Sequence, residues 1–428
     1  MVEVKRGPKR LIKGPQVEDT VSALETIALS SSDLVVPRVH VEVIYAFEAP
    51  APPAELLEKG LAETLLEYRE WAGRLSKDVD GRPVIALNGQ GPAWIDAEAD
   101  VPLVSMMPFN PGWNLLEFVP PNRAAEELLM VQVTKFSCGG ITLGIARHHQ
   151  IADGEAASGF MDAWVAAVKG LTPPGSPIHD RSILMARDPP QPKFEHVEYK
   201  KPPPKPETEP PVEYPPLSIK KFHFSTETLK KLKEEAMKDL NGQGFYTTFE
   251  SLTAYLWKNI SKARGLSGET ATKAMVAVNG RRKLKPPVAD NYFGNVIFHA
   301  CCQASVKDLI EQPLSYATAV VQKAVRRLDD EYMRSALDFV ELQQKHPVPV
   351  ARAYRTILSP NLSVTSWVNL PLYKLDFGYG TPLFAGPPLI PFEGLVMLLP
   401  SYTKDGSIDV SLGLLAPDMA KFESLLQE

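Results

Sequence analysis

Leu143-Gly144-Ile145-Ala146-Arg147-His148-His149-Gln150-Ile151-Ala152-Asp153-Gly154 is the stretch that decides how this chain reads. Its first four residues are strand-like, and Ala156 to Val168 is helix-like, so His149 falls at a strand-to-helix turn. A histidine in that position is firmly held and can face a cleft. Imidazole titrates near neutrality, and the neutral ring is a competent general base. Asp153, four residues on, can hold the turn or bias the ring tautomer. The chemistry this suits is deprotonation of a hydroxyl or amine as it attacks a carbonyl. The competing reading is a packed histidine, because eight histidines give a His-x-x-x-Asp spacing several chances to arise. The doubled His, the Gly after the Asp and the strand–turn–helix setting favour the catalytic reading.

A second distinctive run, Asp376-Phe377-Gly378-Tyr379-Gly380, lies near the other end of the chain. Paired glycines there permit a tight turn that an aspartate can cap. Asp33-Leu34-Val35-Val36-Pro37, Ser137-Cys138-Gly139-Gly140, Tyr292-Phe293-Gly294-Asn295 and Ser366-Trp367-Val368-Asn369-Leu370-Pro371 complete the set. In this order and spacing, the runs resemble the plant BAHD acyl-CoA-dependent acyltransferases. Members of that family carry His-x-x-x-Asp-Gly mid-chain and Asp-Phe-Gly-Trp-Gly near the C-terminus. The resemblance extends from about Val4 to Leu426 and is greatest to the hydroxycinnamoyltransferases.

The resemblance implies an α/β fold of two domains, with a mixed sheet and flanking helices in each and an active-site channel between them. It implies direct transfer in a ternary complex, with acyl-CoA as co-substrate, a small-molecule acceptor, no permanent cofactor and no metal. His149 becomes the general base and His148 a packed neighbour. Asp153 turns away from substrate and braces the loop against Arg281, while Gly154 allows a close approach that a side chain would block. Asp376, Gly378 and Tyr379 shape the coenzyme site from a distance. Tyr379 stands where the family has tryptophan, which removes any role for an indole N–H.

Coenzyme A phosphates need cations. Lys258, Lys262 and Arg264 follow the helix-like Thr248–Trp257 stretch, and Arg282, Lys283 and Lys285 follow a strand-like one; both stretches line the coenzyme channel in the family. Ser251 and Thr253 are weaker hydrogen-bonding candidates there. For the acceptor, the matching positions are His40, Tyr45 and Asn369. Hydroxycinnamoyltransferases acting on shikimate-like acids have arginine at the last of these, where it clasps a carboxylate. Asn369 cannot form that bidentate pair, so neutral alcohols, phenols and amines are the expected acceptors. O-acylation of an alcohol or phenol is the first expectation. N-acylation of an amine and a non-catalytic binding role are the alternatives. Condensation domains of peptide synthesis share His-His-x-x-x-Asp-Gly, but the Asp-Phe-Gly-Tyr-Gly run argues against that class.

Composition agrees with a soluble enzyme. The chain has 428 residues, 44% of them hydrophobic, enough for two domains. A net charge of −5 offers no basic excess for nucleic acid or an anionic membrane. Cys138, Cys301 and Cys302 match no disulfide framework, zinc spacing or redox motif. The N-terminus lacks the apolar segment of a signal peptide, and a cytoplasmic monomer is the expectation. Eleven of the 28 residues from Pro189 to Pro216 are proline, which precludes helix and paired strand. A linker over residues 176–217 is therefore expected between an N-terminal domain, 1–175, and a C-terminal domain, 218–428.

Periodicity places strands at 39–47, 83–87, 129–136, 141–146, 219–224, 275–279 and 294–302. A hairpin is expected from 395–400 and 408–414. Helices are expected over 54–75, 249–263 (capped by Thr248), 314–342 and 417–426, with another starting at Thr226 behind a Ser225 cap.

Overall fold

The computed structural model describes residues 2–14, 25–200, 214–240, 244–344 and 359–427. The chain divides into two compact units, each assembled from separated stretches. The first is Met1–Pro189 with Pro286–Val296 and Leu370–Leu389; the second is Pro190–Lys285, Ile297–Asn369 and Ile390–Glu428. The contiguous halves expected from the proline-rich segment are thus replaced by units that exchange chain. Asp376, Gly378 and Tyr379 belong to the first unit.

In the first unit, a seven-stranded mixed sheet runs in the order Val4–Arg6, Ala93–Ala99, Leu129–Phe136, Ile141–His148, His40–Phe47, Phe384–Gly386, and Arg10–Leu11 also pairs with Ala93–Ala99. Ala93–Ala99 and Leu129–Phe136 are parallel, and the other pairs are antiparallel. Ile141–His148 is central and buried along its whole length. Side chains alternate faces along a strand, so Leu143, Ile145 and Arg147 share one face with Val41, Val43 and Tyr45. The opposite face carries Gly144, Ala146 and His148, with His40, Ile44 and Ala46. A Cβ on Gly144 would sit 1.9 Å from the Phe118 carbonyl oxygen, so glycine is what lets the Trp113–Phe118 turn lie on that strand. Helices Ala54–Thr64 and Gly154–Val168 pack on each other, and Trp164 Nε1 donates to the Leu57 carbonyl at 2.8 Å.

The second unit has a six-stranded mixed sheet in the order Leu217–Phe224, Ile408–Leu415, Leu395–Pro400, Leu362–Ser366, Ala271–Asn279, Ile297–Ser305. Its helices include Thr226–Met237, Thr248–Arg264, Leu314–Arg327, Asp330–Gln344 and Ala416–Gln427. Ser225 caps the first of these by accepting from Thr228 N.

Several boundaries differ from the sequence expectation, each for a local reason. The helix expected over 54–75 stops at Thr64, because Arg74–Lys77 pairs as a strand with Pro83–Ala86. Thr247, not Thr248, caps the helix Thr248–Arg264, in a reciprocal box with Glu250. The pattern over 314–342 breaks at Leu328, where Asp329 Oδ1 accepts Tyr332 N at 2.9 Å and starts a new helix. Within 176–217, Arg181–Leu184 forms a 3-10 turn and Leu217 begins a strand. Residues 190–200 are bound into the second unit. Ser335 Oγ accepts from Lys193 N and Phe194 N, and His196 lies 2.9 Å from both Ser335 Oγ and Glu198 Oε1. The remaining prolines, over 201–213, lie outside the described residues.

Candidate active site

His149 follows the last residue of the central strand. Its main-chain N–H donates to the Val39 carbonyl at 2.8 Å, and its carbonyl accepts from Asn295 Nδ2 at 3.0 Å. Asn295 is itself locked in place: its N–H and Nδ2 both donate to Asp33 Oδ1, at 3.1 and 2.9 Å. Asp33 Oδ2 accepts from the Ser30 N–H and hydroxyl and lies 2.7 Å from Arg181 Nη1. Arg181 Nη2 then donates to the Ile151 carbonyl at 2.9 Å. Two carbonyls of the histidine loop are thus tied to one buried acid, through an amide and a guanidinium. Buried charged groups tied together in this way are costly to disturb.

The histidines differ in setting. His148 is 8% exposed, with its ring edge-to-face against His40 at 5.3 Å. Burial, reinforced by His40, Arg38 and His149 nearby, pushes its pKa down to about 3. His149 is half-buried. Burial lowers its pKa as well, with Arg147 acting in the same direction and the ring's own backbone, Asp153 and Asn295 opposing. Both rings are therefore neutral at physiological pH, the form a general base requires.

Asp153 is the N-cap of Gly154–Val168. Its Oδ1 accepts Ala156 N at 2.9 Å, and its Oδ2 accepts Val296 N at 2.9 Å. Both carboxylate oxygens thus hold backbone. A Cβ on Gly154 would come within 2.8 Å of Leu370 Cδ1. Asp376 Oδ1 accepts from Gly378 N and Gly380 N at 2.7 and 3.0 Å, and both glycines have positive φ. Phe377 packs against Phe47 and Trp164, while Tyr379 is 38% exposed.

Among the coenzyme candidates, three cations are already engaged within the second unit. Lys258 Nζ donates to the carbonyls of Leu309, Ile310 and Gln312. Lys283 Nζ donates to Val325 and Leu328, and Arg264 pairs with Glu393 and donates to the Pro360 and Asn361 carbonyls. These groups close helix ends and loops, because a carbonyl at a helix C-terminus attracts a cation. Ser251 is buried and donates to the Thr247 carbonyl, and Thr253 is also buried. Lys262 and Arg282 are exposed. Arg281 is buried in the second unit, with its N–H on Asn279 Oδ1.

The acceptor candidates are not brought together as expected. His40 and Tyr45 point to opposite faces of one strand. His40 Nε2 lies 2.7 Å from the Glu127 carbonyl, against His148, whereas Tyr45 lines a pocket with Arg147, Asp162 and Leu370. Asn369 is exposed in the second unit.

Residues 9–428 match the model of the Transferase family. The chain belongs to this family, the BAHD acyltransferases. It is 40% identical to agmatine hydroxycinnamoyltransferase 1 of Oryza sativa subsp. japonica, over 96% of this chain and 95% of that protein. It is 37% identical to shikimate O-hydroxycinnamoyltransferase of Nicotiana tabacum, over 93% and 94%. The crystal structure of vinorine synthase shares the fold at a TM-score of 0.73 and 20% identity, covering 98% of this chain and 96% of that one. The chain is therefore an acyl-CoA-dependent BAHD acyltransferase, with acyl-CoA as co-substrate. No helix among the described residues is long and apolar enough to cross a membrane.

Asn295, Asp33 and Arg147 were not singled out from the sequence as site residues. Asn295 and Asp33 stood inside quoted motifs, but only the fold joins positions 262 residues apart. Arg147 carried a readable signal, an arginine in a mostly apolar strand two residues before His149.

Proposed function

We propose that the protein transfers a hydroxycinnamoyl group from coenzyme A to an acceptor hydroxyl, with His149 as general base. The observation that carries this reading is the neutral, half-buried imidazole of His149 on a loop fixed by Asn295 and Arg181. Neutral His149 accepts the hydroxyl proton as the oxygen attacks the thioester carbonyl. The tetrahedral adduct collapses to the ester and expels the thiolate of coenzyme A, which takes the proton back from the imidazolium. A fixed base placed this way contributes on the order of 10²–10⁴ in rate. Names of relatives in rice and tobacco support the hydroxycinnamoyl donor.

An amine acceptor is the second reading. It draws on the rice relative, named for agmatine, and requires the same proton transfer from nitrogen. Incubating the purified protein with p-coumaroyl-CoA or acetyl-CoA and mixed alcohols, phenols and amines, with mass detection of products, tests both readings. A kcat/KM clearly favouring acetyl-CoA would overturn the aromatic donor, and exclusive amide products would replace the hydroxyl acceptor.

A further inference from the structure

Glu70 is fully buried in the first unit, on the 3-10 turn Arg69–Ala72, and the transfer chemistry described above makes no use of it. Its Oε1 lies 2.6 Å from Nδ1 of half-buried His179. Its Oε2 is buried and has no hydrogen-bond partner among the described residues. A buried carboxylate is costly unless positive charge lies close to it.

Arg181, two residues after His179 and 3% exposed, supplies that charge. Burial opposes its ionisation, but Asp33, then Tyr292 and Glu70, outweigh burial and raise its pKa. Arg181 Nη1 sits on Asp33 and Nη2 on the Ile151 carbonyl, while its Nε is buried without a hydrogen-bond partner among the described residues. An unmatched donor and an unmatched acceptor thus belong to two interacting groups of opposite charge. Asp33 cannot serve Arg181 alone, because its oxygens also accept from Ser30 and Asn295. The backbone holds this arrangement together. Ile178 N donates to the Asn291 carbonyl at 3.0 Å, and Phe293 N to the Ile178 carbonyl at 2.9 Å. The segment bearing His179 and Arg181 is therefore joined to the one bearing Asn295, which holds the His149 carbonyl.

We propose that Glu70, oriented by His179, is a positioning residue for acyl transfer: its carboxylate steadies the Arg181 guanidinium, and Arg181 in turn fixes the Ile151 carbonyl of the His149 loop. Neither Glu70 nor His179 acts on the reacting atoms. The expected effect on kcat rests on His149 as the base; the coupling of Glu70 to the loop does not.

The test is a double-mutant cycle on folded protein, assayed with p-coumaroyl-CoA and either agmatine or shikimate. Glu70→Gln keeps the shape of the side chain and removes its charge. It should lower kcat by about tenfold while the KM for p-coumaroyl-CoA stays within about twofold, because a misplaced loop is felt in the chemical step. Arg181→Met should lower kcat at least as far. In the double variant the losses should not multiply, leaving kcat within about twofold of Arg181→Met, because Glu70 then has nothing to steady. His179→Asn, which keeps a donor for Glu70, should retain more kcat than His179→Leu. Hydrogen–deuterium exchange of the His149–Asp153 amides gives a readout independent of turnover and acceptor. Exchange there should quicken in Glu70→Gln and Arg181→Met, again without adding in the double variant. The same cycle in exchange decides if neither acceptor is acylated. Coupled exchange in a protein whose turnover survives His149→Ala would sink the general-base reading and leave the coupling standing. Should Arg181→Met not fold, Arg181→Lys takes its place in the cycle. Losses that multiply, or wild-type loop exchange in Glu70→Gln, overturn the proposal.

Discussion

Asn295 donates from Nδ2 to the carbonyl of His149 at 3.0 Å and to Asp33 Oδ1 at 2.9 Å. Because Nδ2 faces two acceptors, the amide orientation is determined. One side chain therefore couples the histidine loop to a buried acid 262 residues earlier in sequence than itself. Asn295→Ala leaves two buried acceptors short of a donor, at about 1–3 kcal/mol each. The expected outcome is a lower melting temperature together with reduced kcat. Asn295→Asp, which sets a second carboxylate against Asp33, should be worse than alanine. Equal stability of wild type and Asn295→Ala in thermal unfolding would contradict this.

Substitution separates the two adjacent histidines. His149→Ala should lower kcat by on the order of 10²–10⁴, with stability changed little. His148→Ala should leave kcat within about tenfold of wild type, since that ring is packed on His40. Equal, mild losses from both would remove His149 from the mechanism.

The pH profile follows from burial. The pKa of His149 lies below its ordinary 6.5, and the base must be unprotonated to work. kcat/KM should therefore rise with pH through that depressed value and level off before neutrality. Stability carries the same sign. Both rings are kept neutral in the fold, so below pH 6.5 the unfolded chain binds more protons than the native one. Stability is then lost as pH falls from 6.5 toward the depressed folded values, and His148→Gln should flatten that loss in melting curves. An acidic limb centred above 6.5 would show that the imidazole is not depressed.

Asp153 acts through backbone. Removing its carboxylate deletes the cap on Ala156 N and the acceptor for Val296 N, at a cost of about 1–2 kcal/mol for the cap alone. Asp153→Ala should therefore lose stability and activity together, and Asp153→Asn, which keeps one acceptor, should lose less of both. Abolished turnover in a variant of native stability would instead assign the aspartate a direct part in the chemistry.

Lys258 distinguishes a structural cation from a phosphate ligand. Its ammonium closes three carbonyls at the C-terminal end of the Val306–Glu311 helix, those of Leu309, Ile310 and Gln312. Lys258→Met should lower the melting temperature while leaving the KM for acyl-CoA within about twofold. A KM rise of tenfold at unchanged stability, about 1.4 kcal/mol of lost binding, would return it to the coenzyme site.

Sequence alone determined the family, the strand–turn–helix around His149 and the ordering of most elements, because these depend on local pattern: period-two runs, helical spacing, cap residues and motif spacing. It also carried the choice of His149 over His148. Tertiary structure decided which distant side chains share a space. Strand register put Tyr45 with Arg147 and turned His40 to the other face, a distinction of one residue that local pattern does not resolve. Long-range pairing made Asp33, Asn295 and Arg181 into one support for the loop. The carbonyl partners of Lys258 and Lys283 likewise exist only after folding, because a lysine's sequence neighbours do not say whether a helix end will claim its ammonium.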